Sequence, residues 1–207
     1  MRRRKRLFAR RFGTYTLGGY TEHYLVHVMR SSENFVRELA FVAVADSKIV
    51  SCVMFVKGTI AGDDGVVREV LTLGPIAVLP AYQKKGVGRR LIDRARKEAI
   101  RQGYAAIVLC GDPLYYSRVG FEPAENFGIR TSDNKYFVAL QICPLQEKRP
   151  ESFAGRYSDD AVYNISQEAA FEFDQQFPPK DRLENTPSQK RLLEIIEMQR
   201  PFDGAKR

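Results

Sequence analysis

Leu73-Gly74-Pro75-Ile76-Ala77-Val78-Leu79-Pro80-Ala81-Tyr82-Gln83-Lys84-Lys85-Gly86-Val87-Gly88-Arg89-Arg90-Leu91 reads as an apolar strand, a turn, and a basic, glycine-spaced loop that opens a helix. Gly86 and Gly88 leave no side chain where a ligand must touch the backbone. Successive amides there, backed by a helix N-terminus, attract phosphate oxygens. Lys84, Lys85, Arg89 and Arg90 add full positive charges, so the segment reads as a diphosphate cradle. Behind it, apolar residues at 87, 91, 95 and 99, with Ile92 and Ile100 beside them, define one buried helix face. Arg94, Arg96, Lys97 and Arg101 point outward, and Gly103 stops the helix.

Spacing excludes two familiar phosphate loops. A P-loop needs Gly-x-x-x-x-Gly-Lys-Ser/Thr, and a dinucleotide fingerprint needs a third small residue where this chain has Leu91. Gln83-Lys84-Lys85-Gly86-Val87-Gly88 instead resembles the Gln/Arg-x-x-Gly-x-Gly/Ala signature of the GNAT N-acetyltransferase superfamily, which holds the pyrophosphate of acetyl-CoA. A second segment, Gly111-Asp112-Pro113-Leu114-Tyr115-Tyr116-Ser117-Arg118-Val119-Gly120-Phe121-Glu122-Pro123-Ala124, is similar to the other GNAT element, a short helix ending in Tyr-x-x-x-Gly-Phe. The two occur in the expected order, separated by the cradle helix and by Ala105-Ala106-Ile107-Val108-Leu109, which reads as a buried strand. The central region resembles a YhbS-like bacterial subgroup of predicted acetyltransferases. The tail, with Phe177-Pro178-Pro179-Lys180 and Thr186-Pro187-Ser188-Gln189-Lys190-Arg191, resembles extensions seen in such proteins.

The resemblance implies an α/β fold in which a mixed, mostly antiparallel sheet is flanked by helices and splayed at the acetyl-CoA site. The residues agree at one point: Pro75 cannot donate to a sheet ladder, so the strand must be at an edge, bulged, or splayed there. Acetyl-CoA is the implied co-substrate. Its diphosphate would lie on Gln83, Lys84, Lys85, Gly86, Val87, Gly88 and Arg89, and its pantetheine arm along Ile76, Ala77 and Val78. A backbone amide in this region would stabilise the oxyanion that forms. The implied reaction is direct attack of a primary amine on the thioester. By the family pattern Tyr116 protonates the departing sulfur, and Glu69 is the first candidate for the base, with Glu22 and His23 as others. Two rivals stay open, a non-catalytic CoA-binding sensor and an acyltransferase using another acyl-CoA. The acceptor, a small-molecule or peptide amine, is not written in the sequence.

Composition bounds the partners. At 207 residues with 44% hydrophobic and 28% charged, one domain plus an appendage is expected. The net charge of +8 comes from the start of the chain. Seven of the 33 basic residues are Arg2, Arg3, Arg4, Lys5, Arg6, Arg10 and Arg11, and the remaining 26 face 25 acidic residues. The body is therefore nearly neutral and offers no charge for a nucleic-acid face. The basic leader reads first as a solvated start, ahead of a nucleic-acid arm and an organellar presequence. No apolar stretch follows it and no run of about 18 apolar residues exists, so neither export nor membrane spanning is expected. Cys52, Cys110 and Cys143 read as reduced core thiols of a cytoplasmic protein. His23 and His27 have a metal-capable spacing but no third ligand, so no metal is expected.

The expected organisation is a basic leader over 1–19, truncated or mis-started relative to a GNAT first strand, a GNAT domain over 20–143, and a helical C-terminal extension over 144–207. Elements read in order as a helix over Thr21 to Arg30, a hairpin over Phe41 to Lys57 turning at Asp46-Ser47, and a long strand over Val66 to Val78. The cradle helix, the buried strand, the short helix and a strand over Tyr136 to Ile142 follow. A loop over Gln146 to Asp160 then leads to two helices. One carries Phe171, Phe173 and Phe177, and the other follows a capping Thr186 and Pro187. Their apolar residues are expected to pack on the main sheet, with a homodimer contact as the second choice.

Overall fold

The structure is a computed structural model, and it describes residues 19–145, 153–177 and 187–204. The basic leader, the Gln146 to Pro150 loop and the Thr186 cap lie outside the described residues. Helix α1 (Gly19–Met29) leads through a connection that contains a 3-10 turn (Arg37–Leu39) to the antiparallel pair β1 (Phe41–Ala45) and β2 (Lys48–Gly62). Asp46 and Ser47 both take positive φ at their junction, the geometry that matches a hairpin to strand twist. Strand β3 (Val67–Val78) returns along β2, and the cradle helix is α2 (Val87–Arg101). Then come β4 (Ala106–Cys110), α3 (Pro113–Tyr116), β5 (Glu122–Pro123), β6 (Ile129–Thr131), β7 (Lys135–Phe137) and β8 (Leu140–Pro144). The C-terminal part adds β9 (Gly155–Ser158), α4 (Gln167–Asp174), α5 (Pro187–Glu197) and β10 (Gln199–Pro201).

The main sheet runs β5-β8-β4-β3-β2-β9-β6, with β1 also on β2, and only β3–β4 and β6–β9 are parallel. Helices pack on both faces, because alternate strand residues are apolar on each side. On one face Leu91, Ile92, Ala95 and Ala99 of α2 meet Val53, Phe55, Leu71 and Leu73. On the other, Leu25 and Met29 of α1 meet Met54, Val56 and Tyr163. The mixed, mostly antiparallel architecture is the expected one.

Three local expectations are corrected. Ile100 is exposed, because the buried stripe of α2 ends at Ala99. The strand read over Tyr136 to Ile142 is two strands. The Val138 amide turns to Met198 and the Ala139 carbonyl to Gly111, so the chain steps from a small β7–β10 sheet into the main one. The C-terminal segment is not purely helical, since β9 inserts between β2 and β6. Among the described residues no helix is long and apolar enough to cross a membrane.

Candidate functional site

The cradle forms because the chain leaves β3 with its hydrogen bonds turned inward. Gln83 Nε2 donates to the Val78 carbonyl at 3.0 Å, closing the loop on the strand it came from. Lys84 and Gly86 take left-handed φ of 58° and 74°, and Gly86 caps α2 without a side-chain bond. The first amide to join the helix ladder is that of Arg90, which donates to the Gly86 carbonyl at 3.0 Å. Among the described residues none of the amides from Lys84 to Arg89 donates to a backbone carbonyl, so the N-terminal dipole of a 15-residue helix is presented bare. Lys84, Lys85, Arg89 and Arg90 are all exposed around it. Gly88 is buried. A Cβ there would lie 3.1 Å from the Tyr115 hydroxyl and 3.5 Å from Val78 Cγ2, which explains a glycine at ordinary helical φ.

Beside the cradle the sheet forks. β3 pairs with β4 at Leu71↔Ile107 and Thr72↔Val108 and no further, while β4 continues on β8 to Cys110↔Leu140. On its other edge β3 stays paired to β2 through Val53↔Ile76, Cys52↔Ala77 and Ser51↔Val78, with a register shift between Val53 and Phe55, opposite Gly74-Pro75. Two of the three outcomes anticipated for Pro75, bulge and splay, occur together. Among the described residues no strand therefore pairs with the edge of Ile76, Ala77 and Val78 that would face β4, and Ala77 is exposed.

Tyr116 stands at the mouth of the fork. Asp112 caps α3 by accepting from the Leu114 amide at 3.0 Å, and Pro113 fills the first helical position. The Tyr116 ring lies edge-on to Phe121 at 5.6 Å and against Gly111, where a Cβ would sit 2.2 Å from the ring. Gly120 turns the chain at φ +87° under the guanidinium of Arg96, which donates to the Val119 carbonyl. Arg96 thereby ties the cradle helix to the Tyr116 turn. Burial, then Tyr115, Glu22 and Cys110, hold the Tyr116 phenol above its ordinary range.

The carboxylates separate by sheet face. Glu69 shares the α2 face with Leu71 and Leu73 by strand alternation, and its exposed carboxylate pairs with Lys57 at 3.1 Å. Glu22, on α1 across the sheet, is half-buried and has no ion pair or hydrogen bond among the described residues. Burial pushes its carboxyl up to about 7, and its charge raises both the Cys52 thiol and the Tyr116 phenol. The charge of Glu22 thus reaches Cys52 and Tyr116, whereas Glu69 acts on neither of them. His23 and His27 turn to α4, their rings 5.0 and 4.6 Å from Phe173. Two further tyrosines, Tyr157 and Tyr163, reach the fork from the C-terminal segment with buried hydrogen bonds, and nothing in the local sequence marked them.

A sheet that forks beside a bare, glycine-spaced helix N-terminus, followed by a short helix and a Tyr-x-x-x-Gly-Phe turn, defines the GNAT class. Residues 37–123 match the acetyltransferase (GNAT) domain. Over 107 residues it is 34% identical to the uncharacterized N-acetyltransferase YhbS of Escherichia coli K12, covering 51% of this chain and 61% of the relative. It is 32% identical over 111 residues to the uncharacterized N-acetyltransferase YjhQ of the same strain, covering 53% and 60%. The chain thus spans about three fifths of these curated relatives. The crystal structure of Escherichia coli YhbS in complex with CoA superposes with a TM-score of 0.62 at 28% identity, over 70% of this chain and 78% of that one. A GNAT family acetyltransferase from Brucella melitensis in complex with acetyl-CoA shares the fold, with a TM-score of 0.55 at 24% identity over 73% and 84%.

Proposed function

We propose that this protein is an acetyl-CoA-dependent N-acetyltransferase that transfers the acetyl group directly to a primary amine. The observation that carries this reading is the fork, which opens an unpaired strand edge leading away from the bare amides of the cradle. The diphosphate lies on the amides from Lys84 to Arg89, with Lys84, Lys85 and Arg89 neutralising its charge. The pantetheine arm runs along Ile76, Ala77 and Val78 as an added strand.

Glu22, not Glu69, is the base in this reading. A desolvated carboxylate with no partner among the described residues is poised to receive an ammonium ion and take its proton, whereas Glu69 is already neutralised by Lys57. The neutral amine attacks the thioester carbon; the C–N bond forms, the C–S bond breaks, and the second proton lost by nitrogen ends on sulfur through Tyr116. Because its phenol is held above the ordinary range, Tyr116 stays protonated and ready to donate. The acceptor is a small-molecule or peptide amine, and no step uses a metal. The free thiols of Cys52, Cys110 and Cys143 support a cytoplasmic setting.

The test is acetyl-CoA calorimetry together with free-thiol release over a panel of small amines and peptide N-termini. Micromolar binding, lost by at least about 30-fold in Gly88→Asp, and thiol release with one acceptor class are expected. Absence of binding, or undiminished binding by Gly88→Asp, sinks the proposal. Binding without thiol release on any amine favours the sensor instead.

A further inference from the structure

The C-terminal segment touches the main sheet where it forks, and it does so twice. β9 pairs with the far half of β2, placing Tyr157 opposite Ile60. From there the Tyr157 hydroxyl shares a buried hydrogen bond of 2.7 Å with Thr72 Oγ1, across the strand between them. Gly58 of that strand keeps the lane open, since a Cβ would lie 2.6 Å from Thr72 Oγ1 and 3.3 Å from the Tyr157 ring. Thr72 is the last residue of β3 paired with β4. Six residues beyond Tyr157, the Tyr163 hydroxyl donates to the Gly74 carbonyl at 2.9 Å, also buried. Gly74 opens the bulge, and the residue after it is a proline with no amide to anchor the peptide.

The turn that presents Tyr163 is itself fixed. Asp160 Oδ1 accepts from the Val162 amide at 2.7 Å, and its other oxygen accepts from Asn34 Nδ2 at 2.6 Å, just beyond α1. The Tyr163 ring is wedged among Leu25 and Met29 of α1 and Met54 and Val56 of β2. Both tyrosines lie outside residues 37–123, the region that matches the GNAT domain.

We infer that Tyr157 and Tyr163 are positioning residues of the coenzyme site: they pin β3 on either side of its branch point and so set the gap that takes the thioester end of acetyl-CoA. The inference rests on the acetyl-CoA reading for its ligand, but not for the pinning itself. Without the Tyr163 bond the Gly74 carbonyl loses its buried side-chain donor, and the peptide before Pro75 loses the contact that fixes its orientation. Rotation there re-aims the amides of Ile76 to Val78. The cradle is built by a separate loop and stays as it was.

Tyr163→Phe and Tyr157→Phe each remove one oxygen, and the second is the milder variant should the first fold poorly. Calorimetry compares acetyl-CoA with 3′-phosphoadenosine 5′-diphosphate, its head group without the pantetheine arm. We expect each variant to bind acetyl-CoA about tenfold more weakly and the head group within twofold of wild type. Equal losses for both ligands, or none, overturn the inference. Amide hydrogen exchange supplies the arm that needs no ligand. Ile76 to Val78 are expected to exchange at least tenfold faster in Tyr163→Phe while Leu91 to Ala99 in α2 are unchanged; a uniform change or no change overturns it. If the wild type binds neither ligand, the acetyl-CoA reading fails and the exchange comparison still decides the pinning.

Discussion

Replacing Glu22 by glutamine should make the folded protein more stable and the enzyme inactive. Burial lifts the Glu22 carboxyl from 4.5 to about 7. A carboxyl with a folded-state pKa above its unfolded value holds its proton more tightly in the fold, so ionising it destabilises the folded chain. That penalty is absent below about pH 4.5, grows between 4.5 and 7, and is complete above. At 1.36 kcal/mol per pKa unit the full penalty is about 3 kcal/mol. Glutamine mimics the neutral acid at every pH and escapes it. For a chain of this size such a gain raises the melting temperature by roughly 5–10 °C. Scanning calorimetry of wild type and Glu22→Gln at pH 4 and pH 8 should therefore give nearly equal midpoints at the lower pH and a higher midpoint for the variant at the upper one. Transfer should fall by about 100-fold or more, and the limb of the wild-type pH–rate profile that rises through about pH 7 should disappear. A variant less stable than wild type at pH 8, or a difference equal at both pH values, refutes the reasoning.

Tyr116→Phe keeps the ring packing on Gly111 and Phe121 but removes the proton for sulfur, so thiol release should slow by about 100-fold with acetyl-CoA affinity within twofold. An unchanged rate rules Tyr116 out as the acid. Gly120→Ala meets both a φ of +87° and a guanidinium nitrogen 2.9 Å from the new methyl, and should lose about 1–2 kcal/mol, read as a lower urea midpoint at unchanged slope.

How much of this was legible depended on how far apart the partners lie in the chain. The cradle is one contiguous run, Gln83 to Gly88, whose glycines and charges act through their own backbone, so its position was readable directly. The fork was half readable. Pro75 announced that the ladder must fail there, but only pairing with β4 shows that the failure opens a gap one residue past Thr72. The strand over Tyr136 to Ile142 looked continuous because its apolar content is continuous. The break at Val138 and Ala139 comes from bonds to Met198 and Gly111, about 60 and 30 residues away.

The carboxylates show the same limit more sharply. Glu69 and Glu22 are equivalent as residue types, and choosing between them requires knowing which face of the sheet each helix covers. Alternation along β3 fixes Glu69 beside Leu71 and Leu73, but it does not say that α2 occupies that face and α1 the other; tertiary packing decides it. Tyr157 and Tyr163 lie 85 and 89 residues from the groups they bond, in a segment whose composition reads as linker and helix. A buried hydroxyl needs a partner, and so does a carbonyl stranded at a bulge before proline. Each of those needs is visible in sequence, yet which tyrosine answers which strand is settled only when β9 enters the sheet. The part of the chain least like the family signature is thus the part that holds the signature's strand in place.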